Sequence, residues 1–164
     1  MTTSDRIEKR VFLRATVEKV WGALSEAQAF GAWFGVDFDG PFVAGQRITG
    51  RMRPTQVDPQ IAEKQAPYTG MPFEFWVDRL EPPHLISFRW HPFAIDPQTD
   101  YSKEPTTLIV FRLEVVEGGT QLVVTESGFD QVPLQRRLQA FTSNEEGWTL
   151  QCRLIQKYVE RHGS

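Results

Sequence analysis

The sequence predicts an α+β fold, and three features carry that prediction. A single apolar strand is followed by two short amphipathic segments, then by a run of alternating segments broken at turn residues, then by a broad apolar stripe at helical spacing near the end of the chain. Helices segregated to the two ends of a run of strands point to an antiparallel sheet with one face packed on the last helix.

Each element has its own signal. Ile7 to Ala15 reads as the first strand, with Val11, Phe12 and Leu13 set among charges. Thr16 stands as N-cap to a helix over Val17 to Ser25, with Glu18 in its first turn and Val17, Val20, Trp21 and Leu24 on one face. A second short helix covers Ala27 to Trp33, and Gly35 stops it. Strands follow at Gln46 to Arg53, Phe73 to Leu80 and Leu85 to His91, the last two joined across Glu81-Pro82-Pro83. Residues 54 to 71 and Tyr101 to Pro105 read as surface loops. Thr106 to Val116 and Gln121 to Ser127 form a hairpin across Glu117-Gly118-Gly119-Thr120, where a glycine supplies the positive φ of a tight turn. The last helix is expected to begin at Asn144, with Glu145 and Glu146 complementing its dipole, and to run to about Glu160. Along it Trp148, Cys152, Ile155 and Val159 recur at spacings of four and three, flanked by Leu154 and Tyr158, a stripe too broad for a surface helix.

Composition narrows the function. A chain of 164 residues suits one domain spanning 1–164, large enough to bury roughly 70% of its unfolded surface. With 18 basic against 21 acidic residues and no basic block, nucleic acid is not an expected partner. The first ten residues hold no apolar targeting core, and no stretch approaches the roughly 20 apolar residues of a membrane span. The lone Cys152 fits a reducing compartment, so a cytoplasmic location is expected. The surplus is in rings: 12 Phe, 5 Trp and 3 Tyr imply either a very well filled core or a cavity lined with aromatics.

Five segments in this order resemble a known family: V-E-K-V-W-G-A-L from Val17, A-W-F from Ala32, L-E-P-P-H-L-I-S-F-R-W from Leu80, G-G-T-Q-L-V-V-T-E-S-G-F from Gly118 and E-G-W from Glu146. Together they are similar to the AHSA1-like (activator of Hsp90 ATPase homologue-like) group of the SRPBCC, START/Bet v 1-like superfamily. The resemblance implies a helix-grip fold, a curved antiparallel sheet wrapped around the long C-terminal helix with a cavity between them. Some relatives with this flavour are labelled vanillate O-demethylase oxidoreductase. That chemistry needs an iron–sulfur cluster held by four cysteines and a dinucleotide loop, whereas this chain has one cysteine and no G-x-G-x-x-G. No cofactor is expected.

Alternation places the candidate site residues. Ile109, Phe111 and Leu113 share one face of their strand, as do Leu122, Val124 and Glu126 of the next. The resemblance turns both sets toward the helix, leaving Glu126 as an acid on an apolar face. It is then either a polar anchor or general acid/base, or a strand-end carboxylate paired with an arginine or wetted by solvent. Ile86, Phe88 and Trp90 share a face, and Arg89 and His91 take the other; by family analogy Trp90 faces inward. His84 and His91 are seven apart, so on one regular strand they point to opposite faces and cannot chelate one metal, and no zinc spacing occurs. Cys152 is expected to be a small hydrophobe.

The expected function is that of a binding module holding a small apolar or aromatic ligand between sheet and C-terminal helix. Its expected lining is Trp33, Phe34, Phe75, Trp90, Phe111, Glu126, Trp148 and Cys152. The alternatives are a cyclase, dehydratase or hydrolase using Glu126, or a chaperone-interaction protein as the family name suggests. The eukaryotic co-chaperone carries an additional N-terminal domain, for which 164 residues leave no room. Leu108 and Val110 make that strand apolar on both faces, so a homodimer or cover by the first helices is expected there.

Overall fold

A computed structural model describes residues 6–92 and 98–161. The chain forms β1 (Arg6–Leu13), α1 (Val17–Ser25), α2 (Ala27–Phe34), β2 (Val36–Phe38), β3 (Arg47–Met52), α3 (Pro59–Gln65), β4 (Pro72–Glu81), β5 (Leu85–Trp90), β6 (Thr107–Val116), β7 (Gly119–Ser127) and α4 (Leu134–Arg161). The strands make one antiparallel sheet in the order β1-β7-β6-β5-β4-β3-β2. Helices α1 and α2 carry the chain from one edge of that sheet to the other. The curved sheet grips α4, as the resemblance implies. Curvature has a local cause in β4, where the register against β5 shifts between Val77 and Arg79. Among the described residues no helix is long and apolar enough to cross a membrane.

The local signals act as expected in the first half. Thr16 is extended and its Oγ1 accepts the Lys19 amide at 3.3 Å, capping α1. Gly35 ends α2 at φ +104°, a left-handed backbone, and returns its amide to Gly31 O. A Cβ at Gly35 would sit 2.8 Å from the Arg53 carbonyl oxygen. Gly35→Ala is therefore expected to cost about 2 kcal/mol in urea denaturation. An unchanged midpoint would mean that the end of α2 rebuilds without strain.

Three departures from the sequence reading have physical reasons. The last helix begins at Leu134, ten residues before Asn144. Its first turns expose Leu134 and Leu138, so no apolar periodicity announces them, while Pro133 lies just ahead of the helix and Ala140 is buried. Asn144 looked like a cap because its side chain favours local backbone bonds, but here it is spent on Glu126 instead. The segment read as a loop over residues 54 to 71 contains α3, whose N-cap Asp58 accepts the Gln60 and Ile61 amides with Pro59 in the first turn. Asp58 also takes Lys157 Nζ at 2.6 Å, tying α3 to α4, and its carboxyl is held below the usual range first by that lysine. The three-residue β2 is too short to show a period.

Alternation along the strands holds. Ile48, Phe75, Val77, Ile86, Phe88, Ile109, Phe111, Leu122 and Val124 face inward and are buried. Leu108 and Val110 lie on the outer face, half-buried.

Candidate functional site

The inner face of the sheet ends in an aromatic cluster. Phe30 of α2 lies at its centre, against Trp33, Phe34, Phe38, Phe42, Phe75, Phe88 and Phe111, with centroid separations from 4.7 to 6.1 Å. Phe75 stacks on Phe88 at 4.2 Å. Nearer α4, Trp90 stacks on Trp148 at 5.9 Å, and Phe34 and Phe111 meet Trp148 at 6.3 and 5.7 Å. Trp33 is sealed in the core with its Nε1 donating to Ala23 O at 2.9 Å. Such rings exclude water and pack mostly edge to face, as their quadrupoles favour.

Glu126 stands in the midst of them, fully buried near the end of β7. Trp90 Nε1 donates to its Oε2 at 2.7 Å and Thr107 Oγ1 at 2.5 Å. Trp148 Nε1 donates to Oε1 at 2.8 Å, and Asn144 Nδ2 reaches both oxygens at 3.0 and 3.1 Å. Four neutral donors from β5, β6 and two turns of α4 thus converge on one carboxyl. Neither the arginine partner nor the solvent of the strand-end alternative is found: among the described residues no cation pairs with Glu126, and its side chain is fully buried. Buried polar groups persist only where they are satisfied, and this carboxyl is satisfied as an acceptor.

A cleft of about 720 Å³ opens beside this network, at the end of the sheet where β3 and β5 stop and β4 starts. Its walls include Gly50, Met52, Met71 and Phe73, and it is bounded by Thr99 to Ser102. Trp90 and Asn144 line it directly, so two of the four groups that hold Glu126 are also cleft wall. Glu126 lies one side chain deeper.

The eight residues singled out from sequence separate into groups here. Phe34, Trp90, Phe111, Trp148 and Glu126 form one contiguous cluster; Trp33 and Phe75 join it through Phe34 and Phe73. Cys152 lies one turn beyond Trp148, half-buried at the core margin. Burial pushes its thiol up to about 11, with Lys9 opposing weakly. In the folded protein Cys152 is expected to react with iodoacetamide at pH 8 at least tenfold more slowly than a free thiol. Labelling at the free-thiol rate would show that this margin opens.

Arg89 and His91 take the outer face, as alternation requires. Arg89 Nε is 4.0 Å from Asp78 Oδ1, and the His91 ring meets Trp76 edge-on at 5.8 Å. Burial lowers the His91 pKa, and its Nδ1 is enclosed without a hydrogen-bond partner among the described residues.

Asn144 and Thr107 were not among the residues singled out from sequence. Thr107 had a signal, since alternation puts it on the same inward face as Ile109 and opposite Trp90. Asn144 had none, because its role depends on where α4 crosses the sheet.

The comparisons agree with this fold. Residues 14–160 match the family described as activator of Hsp90 ATPase homolog 1-like protein. No curated protein matches the sequence. Among solved structures, the protein MLL2253 from Mesorhizobium loti aligns with a TM-score of 0.69 at 18% identity, over 95% of this chain and 97% of its own. A protein from Arthrobacter aurescens aligns with a TM-score of 0.71 at 16% identity, over 96% of this chain and 87% of its own. DynU16, from the dynemicin biosynthetic locus, aligns with a TM-score of 0.66 at 21% identity, over 97% of this chain and 48% of its own. At these identities the likeness is one of fold. The family match spans nearly the whole chain, and with the seven-stranded sheet gripping α4 it places the protein in the activator of Hsp90 ATPase homolog 1-like family.

Proposed function

We propose that the protein binds a small, largely apolar, ring-bearing molecule in the cleft at the end of the sheet. One observation carries this reading: the wall of the cleft includes Trp90 and Asn144, two of the four side chains that hold the buried Glu126. The cleft joins an apolar side, Met52, Met71, Pro72, Phe73 and Trp90, to a polar and charged rim, and its volume lies within the roughly 300 to 1,000 Å³ that small-molecule sites occupy. Trp90 presents its indole to the ligand. Phe34, Phe111 and Trp148 back it, Trp33 packs on Phe34, Phe75 joins through Phe73, and Cys152 lies at the core margin one turn beyond Trp148. Exchange of Asn144 for a ligand donor would bring the ligand into contact with Glu126. Cyclase, dehydratase or hydrolase chemistry at Glu126 requires that exchange first, so binding is the more economical reading.

A thermal-shift screen against aromatic and fatty ligands tests it. A ligand at 100 times its Kd stabilises by about 2.7 kcal/mol, which is roughly 5 to 10 °C for a domain of this size. Met71→Trp, which fills the cleft wall, is expected to abolish the shift while leaving the unliganded melting temperature within a few degrees. A shift that survives Met71→Trp places the site elsewhere. A flat screen moves the assignment to protein interaction, the activity in the family's description.

A further inference from the structure

We infer that the ligand of this cleft is a protonated amine with an aromatic body, its N–H groups replacing the Asn144 carboxamide on Glu126. The inference rests on the binding reading above and names the ligand's class. Glu126 is fully buried and accepts from two indoles, a hydroxyl and a carboxamide, none of which carries charge. All four contacts place donors on the carboxyl oxygens, the geometry of an acceptor, and none brings a positive charge. A cationic donor adds the charge that these four groups do not, and charge-assisted hydrogen bonds are the stronger ones. The indole of Trp90 faces the same cleft, and ring faces attract ammonium groups.

Three of the four donors are fixed. Trp90 and Trp148 are stacked on one another, and Thr107 is sealed in β6. Asn144 is half-buried, lines the cleft and is held through its carboxamide alone, so it is the donor that can swing away. The mouth is charged to match. Asp39, Glu74 and Asp100 line it with Arg47, Arg51 and His91, three carboxylates to two arginines, and among the described residues Asp39 and Asp100 accept only from the Thr49 and Ser102 hydroxyls and the Ser102 amide. Arg47 lies 3.5 Å from Glu74, and Arg51 Nη1 donates to Gly70 O at 3.2 Å. An acidic ligand would meet excess carboxylate at the mouth and another at the base.

Three probes of one shape decide it: 2-naphthylmethylamine, 2-naphthylmethanol and 2-naphthoic acid, titrated calorimetrically at pH 7. The amine is expected to bind at least tenfold more tightly than the alcohol, with the acid weakest. Glu126→Gln is expected to bring amine and alcohol level. Should that variant fold poorly, Asn144→Ala keeps the carboxylate and uncovers it, and the preference for the amine is expected to be retained or widened. Equal or tighter binding of the alcohol or acid overturns the amine assignment and leaves the binding reading standing, as does an amine preference that persists in Glu126→Gln or vanishes in Asn144→Ala. Failure of all three probes to bind overturns both.

Discussion

Glu126→Ala is expected to lower stability by about 3 kcal/mol or more, because it orphans two indole N–H groups, a carboxamide and a hydroxyl at once. For a chain of this length that is a fall in melting temperature of roughly 6 to 12 °C. The loss is less than the sum of four separate penalties, since the space left by the side chain adjoins a cleft from which water can enter. Glu126→Gln keeps one oxygen but turns an amide N–H₂ toward other donors, so about half the loss is expected. Urea denaturation of the two variants beside the parent measures both. An alanine variant as stable as the parent would mean that the four donors find other partners, and that the network is not what joins β5, β6 and α4 at this end.

Phe30→Ala is expected to cost about 3 to 5 kcal/mol, the range for removing a large buried ring. Phe30 is 1% exposed and meets seven other rings, most of them held by backbone in the sheet or in α2, so the site cannot collapse freely. The cavity would be apolar, and an apolar cavity of that kind stays dry and takes benzene. Recovery of part of the lost melting temperature in saturating benzene would identify the defect as an empty, ring-shaped space. A loss under about 1 kcal/mol would show instead that the cluster is soft, and that the rings re-pack around the gap.

The aromatic surplus left two readings of the core open, and the structure contains both in different places. Around Phe30, Phe75 and Phe88 the rings fill the space between sheet and helices. At Trp90 they stop, and the cleft begins. Periodicity identifies which side chains face inward, but it carries no information on how far along the axis the filling extends. That depends on where α4 lies over the sheet, which is set by packing of residues more than a hundred positions apart, such as Gln151 Nε2 on Phe34 O at 3.1 Å.

Glu126 shows the same division. Alternation put it on one face with Leu122 and Val124, the resemblance turned that face inward, and its burial follows from that register. Its partners do not follow. An arginine is the ordinary companion of an inward acid, and the neutral set found here draws Trp90, Thr107, Asn144 and Trp148 from three elements. Asn144 in particular carries the local signature of a helix start and serves in mid-helix, because a buried carboxyl offers it a stronger partner than its own backbone does.

By itself the sequence determined the α+β order of elements, the inward and outward faces of each strand, the caps at Thr16 and Gly35 and the family. These are set by neighbours within a few residues or by patterns of fixed period. Only the tertiary structure decided the early start of α4, the helix inside the residue 54 to 71 segment, the four donors on Glu126 and the cleft beside them. Each of those depends on distances between elements remote in sequence, where side-chain contacts rather than local propensity set the lowest free energy.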